Sequence, residues 1–151
     1  MKYKIPLVLS LLALAPFTVQ ATDSKDDLCT IQRYSVIYGG VVETYRDSNC
    51  YVAQNYCDED VRAAPADPDA GGYSQECKKP EERITSASVS YTLYHRGIVQ
   101  TTIGATRYDT SYPEYNAERA AYNKCSRERE SRAKSSPDYF SYISNSSCTR
   151  N

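Results

Sequence analysis

The chain has no tryptophan, one methionine, two phenylalanines and a single histidine in 151 residues. Beyond residue 21 the large aliphatic and phenylalanine side chains number only sixteen, which excludes a thick aliphatic core, and in a strongly charged chain that shortage would point to disorder. Any histidine-based triad or metal site would have to be built on His95. That residue sits in the run YHRG, which reads as an exposed hairpin tip and a poor place to exclude water. No CxxC pair occurs, so zinc ribbons and thioredoxin-like redox motifs have no foothold. Basic excess is missing as well. The net charge of −1 argues against a general nucleic-acid binder, which needs a strong positive field. The longest apolar run, LVLSLLALAPF, is too short for a membrane span and is bounded or broken by Pro6 and Pro16.

That run is instead the centre of a secretory signal. Lys2 and Lys4 precede it, and Val19, Gln20 and Ala21 follow it as a small-residue exit, so residues 1–21 are expected to be a cleaved leader. No cysteine stands at the cleavage point to take a lipid. Losing Lys2 and Lys4 moves the net charge from −1 to −3. The expected product, residues 22–151, is an extracytoplasmic protein, periplasmic or secreted, with no membrane span.

Tyrosine is abundant, at 15 residues, and cysteine is even, at six. In an exported chain an even count implies disulfides, here three among fifteen possible pairings. The local pattern narrows the choice. Residues 84–125 read as a hairpin followed by a helix that ends on Cys125. With His95, Arg96 and Gly97 as its loop, Tyr94 faces Ile98, Leu93 faces Val99, Tyr91 faces Thr101 and Val89 faces Ile103. That register gathers Val89, Tyr91, Leu93, Val99 and Ile103 on one face, and Gly97 takes the left-handed position. An earlier stretch repeats the order: Tyr34, Ile37, Gly40, Val41, Val42 and Thr44 are spaced as Tyr91, Tyr94, Gly97, Ile98, Val99 and Thr101. Its hairpin turns through Tyr38, Gly39 and Gly40, with Tyr34, Val36, Val42 and Thr44 inward.

Each hairpin leads to a cysteine (Cys57, Cys125) and then to another about twenty residues later (Cys77, Cys148). The reading is α+β: a small disulfide-braced domain of two degenerate ββαβ units, residues 22–80 and 81–151, with helices packed on antiparallel sheet. Two unrelated hairpins are the alternative. Folding about the first turn brings Cys29 opposite Asn49 and beside Cys50, which pairs those two. The repeat then pairs Cys57 with Cys77 and Cys125 with Cys148. A helix from Cys50 to Cys57 would hold those two about 10 Å apart, too far to bond.

Asp58, Glu59 and Asp60 open a polar connector, and APADPDAGG (64–72) reads as a flexible loop lacking the spaced oxygens of a calcium site. Ser111 and Glu114 have capping-box spacing, Pro113 suits a first turn, and Ala117, Ala120, Ala121 and Cys125 form a small-residue stripe for the sheet. Arg127, Arg129, Arg132 and Lys134 suit a helix C-terminus that stops at Ser135, Ser136 and Pro137. Residues 139–143 read as a last strand delivering Cys148.

No catalytic, metal or cofactor motif emerges, and no cofactor is expected. Glu43, Asp47, Glu114 and Glu118 are the carboxylates a secreted hydrolase would use, although no spacing singles them out. Tyrosines offer rigid contact area with a polar tip. Tyr38, Tyr94, His95 and Arg96, at the tips of the hairpins, are the candidate binding residues. The leading expectation is an exported binding protein that acts by protein contact, as an inhibitor, immunity or accessory factor does. A carboxylate hydrolase and a structural envelope-associated protein are the alternatives.

Overall fold

Two antiparallel sheets, each roofed by one long helix, are described by a computed structural model covering residues 28–109 and 111–151. The leader expected at 1–21 lies outside these residues. In the first half, β1 (Cys29–Ser35) and β2 (Val41–Asp47) form a hairpin, α1 (Cys50–Ala63) follows, and β3 (Gln75–Lys78) returns to the other edge of β1. In the second, β4 (Thr85–His95) and β5 (Ile98–Asp109) form a longer hairpin, α2 (Pro113–Lys134) and the short α3 (Tyr139–Ser144) follow, and β6 (Ser146–Arg150) returns beside β4. The strand orders are β2-β1-β3 and β5-β4-β6. In both, the first strand of the hairpin is central and the strand after the helices is an edge.

The three disulfides join Cys29 to Cys50, Cys57 to Cys77 and Cys125 to Cys148, with Cα separations of 5.0, 6.0 and 6.1 Å. These are the pairs read from the sequence. The last two bolt α1 to β3 and α2 to β6, so each helix is tied to the far edge of the sheet it covers. Beneath α1 the core is Ile31, Ala53, Cys57 and Val61; beneath α2 it is Val89, Tyr91, Leu93 and Ala105 against Ala117, Ala120, Ala121 and Cys125. Alanine on the inner face of α2 lets the helix backbone approach the sheet closely.

Local sequence accounts for the helix ends. The Asn49 side chain accepts from Tyr51 N at 2.9 Å and caps α1. At the other end Ala64 precedes Pro65, is extended (φ −68°, ψ 148°) and stops the helix. Asp58, Glu59 and Asp60 are therefore the last turns of α1, not the start of a connector. Pro113 opens α2 as expected, but the capping box does not form. Tyr112 is the N-cap with no side-chain bond, and Ser111 N donates instead to Asp109 Oδ1 at 2.7 Å. Residues 139–143 are α3, not a strand, because Asp138 caps the turn by accepting from Ser141 N at 3.0 Å.

Both hairpins carry a bulge near the tip, and both registers are displaced from the expected ones by the turn and the bulge together. On β4 and β5, His95 pairs with Ile98 around a two-residue turn, Tyr94 with Val99, and then Leu93 with Thr101, leaving Gln100 as the extra residue. Arg96 (φ 51°) and Gly97 (φ 75°) are both left-handed, as a type I′ turn requires. Past the bulge the offset is two residues. The inward parity of Val89, Tyr91, Leu93 and Ile103 therefore survives, while Val99 swings out to 58% exposure. On the first hairpin Arg33 pairs with Glu43 and Tyr34 with Val41, so Cys29 faces Asp47 rather than Asn49. Tyr34 and Val36 are buried as expected, but Val42 and Thr44 point outward and Tyr45 takes the inner position.

The halves meet where the first turn reaches β5. Tyr108 N donates to Val36 O at 2.8 Å, and a Cβ on Gly39 would stand 2.7 Å from the Tyr108 ring. Gly39 is also left-handed (φ 76°). Gly39→Ala is expected to cost about 1–2 kcal/mol from the backbone alone, plus the ring clash. Gly40→Ala, with open space around it, should leave the urea midpoint nearly unchanged. Equal midpoints for the two variants would show that the turn is not held against Tyr108.

Candidate binding surfaces

The four tip residues do not form one patch. Tyr38, 83% exposed, lies on the first turn beside the Tyr108 end of β5. Tyr94, His95 and Arg96 lie at the opposite end of that strand, some ten residues or about 33 Å away. His95 is half-buried. Its ring stacks on Tyr142 of α3 with centroids 4.2 Å apart, and Nδ1 lies 2.9 Å from Ser146 Oγ. Arg96 N donates to Asn145 O at 2.8 Å. The second tip is thus braced by α3 and β6, with the Arg96 side chain exposed.

The carboxylates of the hydrolase alternative fall into two separate groups. Glu43 accepts from Arg33 at 2.6 Å and from Tyr45 at 3.1 Å, and Asp47 accepts from Asn49 N at 2.8 Å. Glu114 and Glu118 share Arg150, at 2.7 and 3.1 Å. Each of these carboxylates already has a donor within the fold.

A larger aromatic surface lies on α2. Ala117, Ala120, Ala121 and Cys125 turn one side of the helix to the sheet, so Tyr112, Tyr115 and Tyr122 emerge on the other, 71%, 61% and 47% exposed. With Tyr91, Glu118 and Arg119 the last two border a shallow groove of about 530 Å³. Tyr122 meets the Tyr91 ring edge to face at 5.5 Å, and the Tyr91 hydroxyl donates to Glu118 at 3.1 Å. Burial, and then that bond, push the Tyr91 phenol above its ordinary range, so it remains a neutral donor. These tyrosines were readable from sequence as the positions opposite the alanine stripe, although the hairpin tips drew the candidate residues elsewhere.

The second feature is a cavity of about 330 Å³ between the halves, walled by α1, β3 and the segment 64–74 and closed by Asp109 and Asn116 of the second half. The 64–72 segment is an ordered clasp rather than a flexible linker. Asp67 folds it by accepting from Asp69 N (2.9 Å) and Ala70 N (3.3 Å), while Asp67 N donates to Gly72 O. The carboxylate of Asp67 also receives Arg107 of β5 in bidentate fashion, Nε at 2.6 Å and Nη2 at 3.1 Å, and both side chains are at least 97% buried. Asp69 extends the contact to Arg107, Lys124 and Arg127. Burial alone would raise the Asp67 carboxyl. The hydrogen bonds from Arg107 and the two backbone amides outweigh it and hold the group below its usual range.

Among the described residues no helix is long and apolar enough to cross a membrane, and no cysteine is free. No family model, curated protein or solved structure matches this chain.

Proposed function

We propose that this is an exported binding protein that acts in the periplasm or outside the cell by contact with another protein, as an inhibitor, immunity or accessory factor does. One observation carries the reading: a row of exposed tyrosines at α2, bordering a groove that also carries Glu118 and Arg119, stands on a helix locked to its sheet by a disulfide. Rigid amphipathic rings on a rigid element lose little entropy when a partner covers them, which is why such residues dominate binding energies. Three disulfides fit an oxidising compartment. The engagement of Glu43, Asp47, Glu114 and Glu118 by donors within the fold gives the hydrolase alternative no support. The like order of strands, helix and cysteines in the two halves supports descent from one duplicated unit.

The test is capture from the source organism's extracytoplasmic fraction with residues 22–151 as bait, comparing wild type, Tyr115→Ala/Tyr122→Ala and Tyr94→Ala/Arg96→Ala. A partner held by the α2 face should be lost at least about a hundredfold in the first variant, two contact tyrosines being worth some 3 kcal/mol together. It should persist in the second. Loss in the second variant alone would move the contact to the hairpin tip. Equal recovery in all three would remove both surfaces.

A further inference from the structure

We propose that the free edge of β5 is a self-association site: a second copy of this chain pairs its own β5 with it, antiparallel, and joins the two sheets into one. The proposal is separate from the tyrosine face and does not rest on it.

A strand edge is a row of unmet donors and acceptors, and folds normally guard it with charge, proline or shortness. Three of the four edges here are guarded. β2 carries Glu43, Arg46 and Asp47, β3 is four residues long, and β6 is five residues long and carries Arg150. β5 is twelve residues long, and from Ile98 to Thr106 it has no charge and no proline. The bulge at Gln100 is its one interruption. Which groups face outward follows from the alternation of an antiparallel strand. Tyr108 N leaves the hairpin to reach Val36 O, so Thr106, Gly104 and Thr102 face the same way. Beyond the bulge so does Val99, because Ile98 closes the turn with His95. Among the described residues no strand pairs with that side of β5.

The features that fit this edge lie on the strand itself. At one end Ile98 and Val99 stand 67% and 58% exposed. At the other is a shallow groove of about 400 Å³ whose apolar lining is Ile37, Val89, Gly104 and Ala105. Its two cations, Arg107 and Lys124, are each paired with an acid of the clasp, Asp67 and Asp69, so the groove holds no free charge to select a charged guest. Antiparallel pairing about a two-fold axis at Thr102 sets each end against the other, twice. With Gln100 left out of the count, Val99 of the second copy falls opposite Gly104 and Ile98 of the second copy opposite Ala105, on matching faces. Gly104 leaves the room: a Cβ built there meets nothing closer than Val89 O at 3.7 Å. Thr102 with Thr102, and Gly104 with Val99, are then hydrogen-bonded pairs. The incoming tip ends before Tyr108, whose amide is already taken. A foreign strand could match the backbone, but a copy always brings the apolar pair at this spacing. The axis stands perpendicular to the sheet, so both α2 helices lie on one side of the joined sheet, β6-β4-β5-β5-β4-β6.

The test is sedimentation equilibrium of disulfide-bonded residues 22–151 at rising concentration, with amide hydrogen exchange read at the same concentrations. A monomer–dimer equilibrium with a Kd of roughly 10–100 μM is expected, because one strand edge is a small interface. As the dimer forms, the amides of Val99, Thr102 and Gly104 should gain about tenfold protection or more, while Thr101 and Ile103, which face β4, change little. Thr102→Lys puts two like charges at the axis and should raise Kd at least about thirtyfold. Val99→Ser, at a side chain already exposed in the monomer, should raise it about tenfold and leave the urea midpoint in place. Thr44→Lys, the matched change at an exposed threonine of β2, should leave Kd where it was. A chain that stays monomeric to about 1 mM, a dimer that survives Thr102→Lys and Val99→Ser unchanged, or protection gained only at other amides would each overturn the proposal. So would a monomer whose β5 amides are protected only by a captured partner, which would give the edge to a foreign strand.

Discussion

Reduction of the three disulfides is expected to unfold the protein at room temperature, and a thiol titration before reduction should find no reactive sulfhydryl, native or in denaturant. Each bridge closes a loop of similar length, with sequence separations of 21, 20 and 23 residues. Chain entropy for loops of that size is worth roughly 3 kcal/mol per bridge. Three together approach the whole stability of an ordinary small domain, about 5–15 kcal/mol. The apolar interior has little to set against the loss. The inner face of α2 is alanine and cysteine, and the cluster under α1 has four members, one of them a bridged cysteine. Removing bridges singly should rank them by what else holds the same contact. Cys57→Ala/Cys77→Ala should be the more damaging change, because β3 is four residues long and otherwise clings to one strand. Cys125→Ala/Cys148→Ala frees β6, which keeps five pairings to β4 and the Arg150 ion pairs. Urea midpoints and far-ultraviolet circular dichroism check both, and six reactive thiols in a chain that still melts cooperatively would sink the argument.

The framework was legible because its signals are local. Hairpin geometry paired Cys29 with Cys50, helix rise excluded a Cys50–Cys57 bridge, the repeated spacing paired Cys57 with Cys77 and Cys125 with Cys148, and the alanine stripe ending at Cys125 marked both α2 and its buried face. What escaped the sequence depends on contacts between distant residues or on one backbone step. The turns and the one-residue bulges at Val42 and Gln100 together displace each register by two, yet nothing in the pattern VVET or VQTT marks the extra residue. YFSYIS has the aromatic and β-branched content of a strand, but strand preference depends on a neighbour to pair with, and the Asp138 cap settles the segment as helix. For the candidate sites the same division holds. Tyr115 and Tyr122 follow from helical phase and were readable. The cavity was not, because it is assembled from α1, β3, the clasp and the start of α2, and composition marked the clasp only as a loop.

The clasp also sets the second large effect. Arg107→Ala is expected to cost about 3–5 kcal/mol, because it leaves Asp67 charged, almost fully buried and deprived of both guanidinium bonds. Asp67→Ala should cost a similar amount, somewhat relieved by Asp69, whose carboxylate stays 3.5 Å from Arg107. If the pair serves mainly to pin segment 64–74 against β5, the double variant Arg107→Met/Asp67→Asn, whose amide oxygen keeps an acceptor for Asp69 N and Ala70 N, should recover a large part of the loss, since neither replacement leaves a buried charge. A double variant as unstable as the sum of the singles would show that the clasp is held by something else. The pH dependence has a definite sign. The Asp67 carboxyl is held below its ordinary value in the folded state, so its stabilising contribution is fully present above the unfolded value near 3.9 and is lost as pH falls through the lower folded value. Wild-type stability, read as the urea midpoint, should therefore drop steeply below about pH 4. Asp67→Asn, already destabilised at neutral pH, should show a flatter acid limb, because the proton that wild type must take up there no longer has a site. Parallel acid limbs in the two proteins would place the acid sensitivity on other carboxylates and remove the clasp from that role.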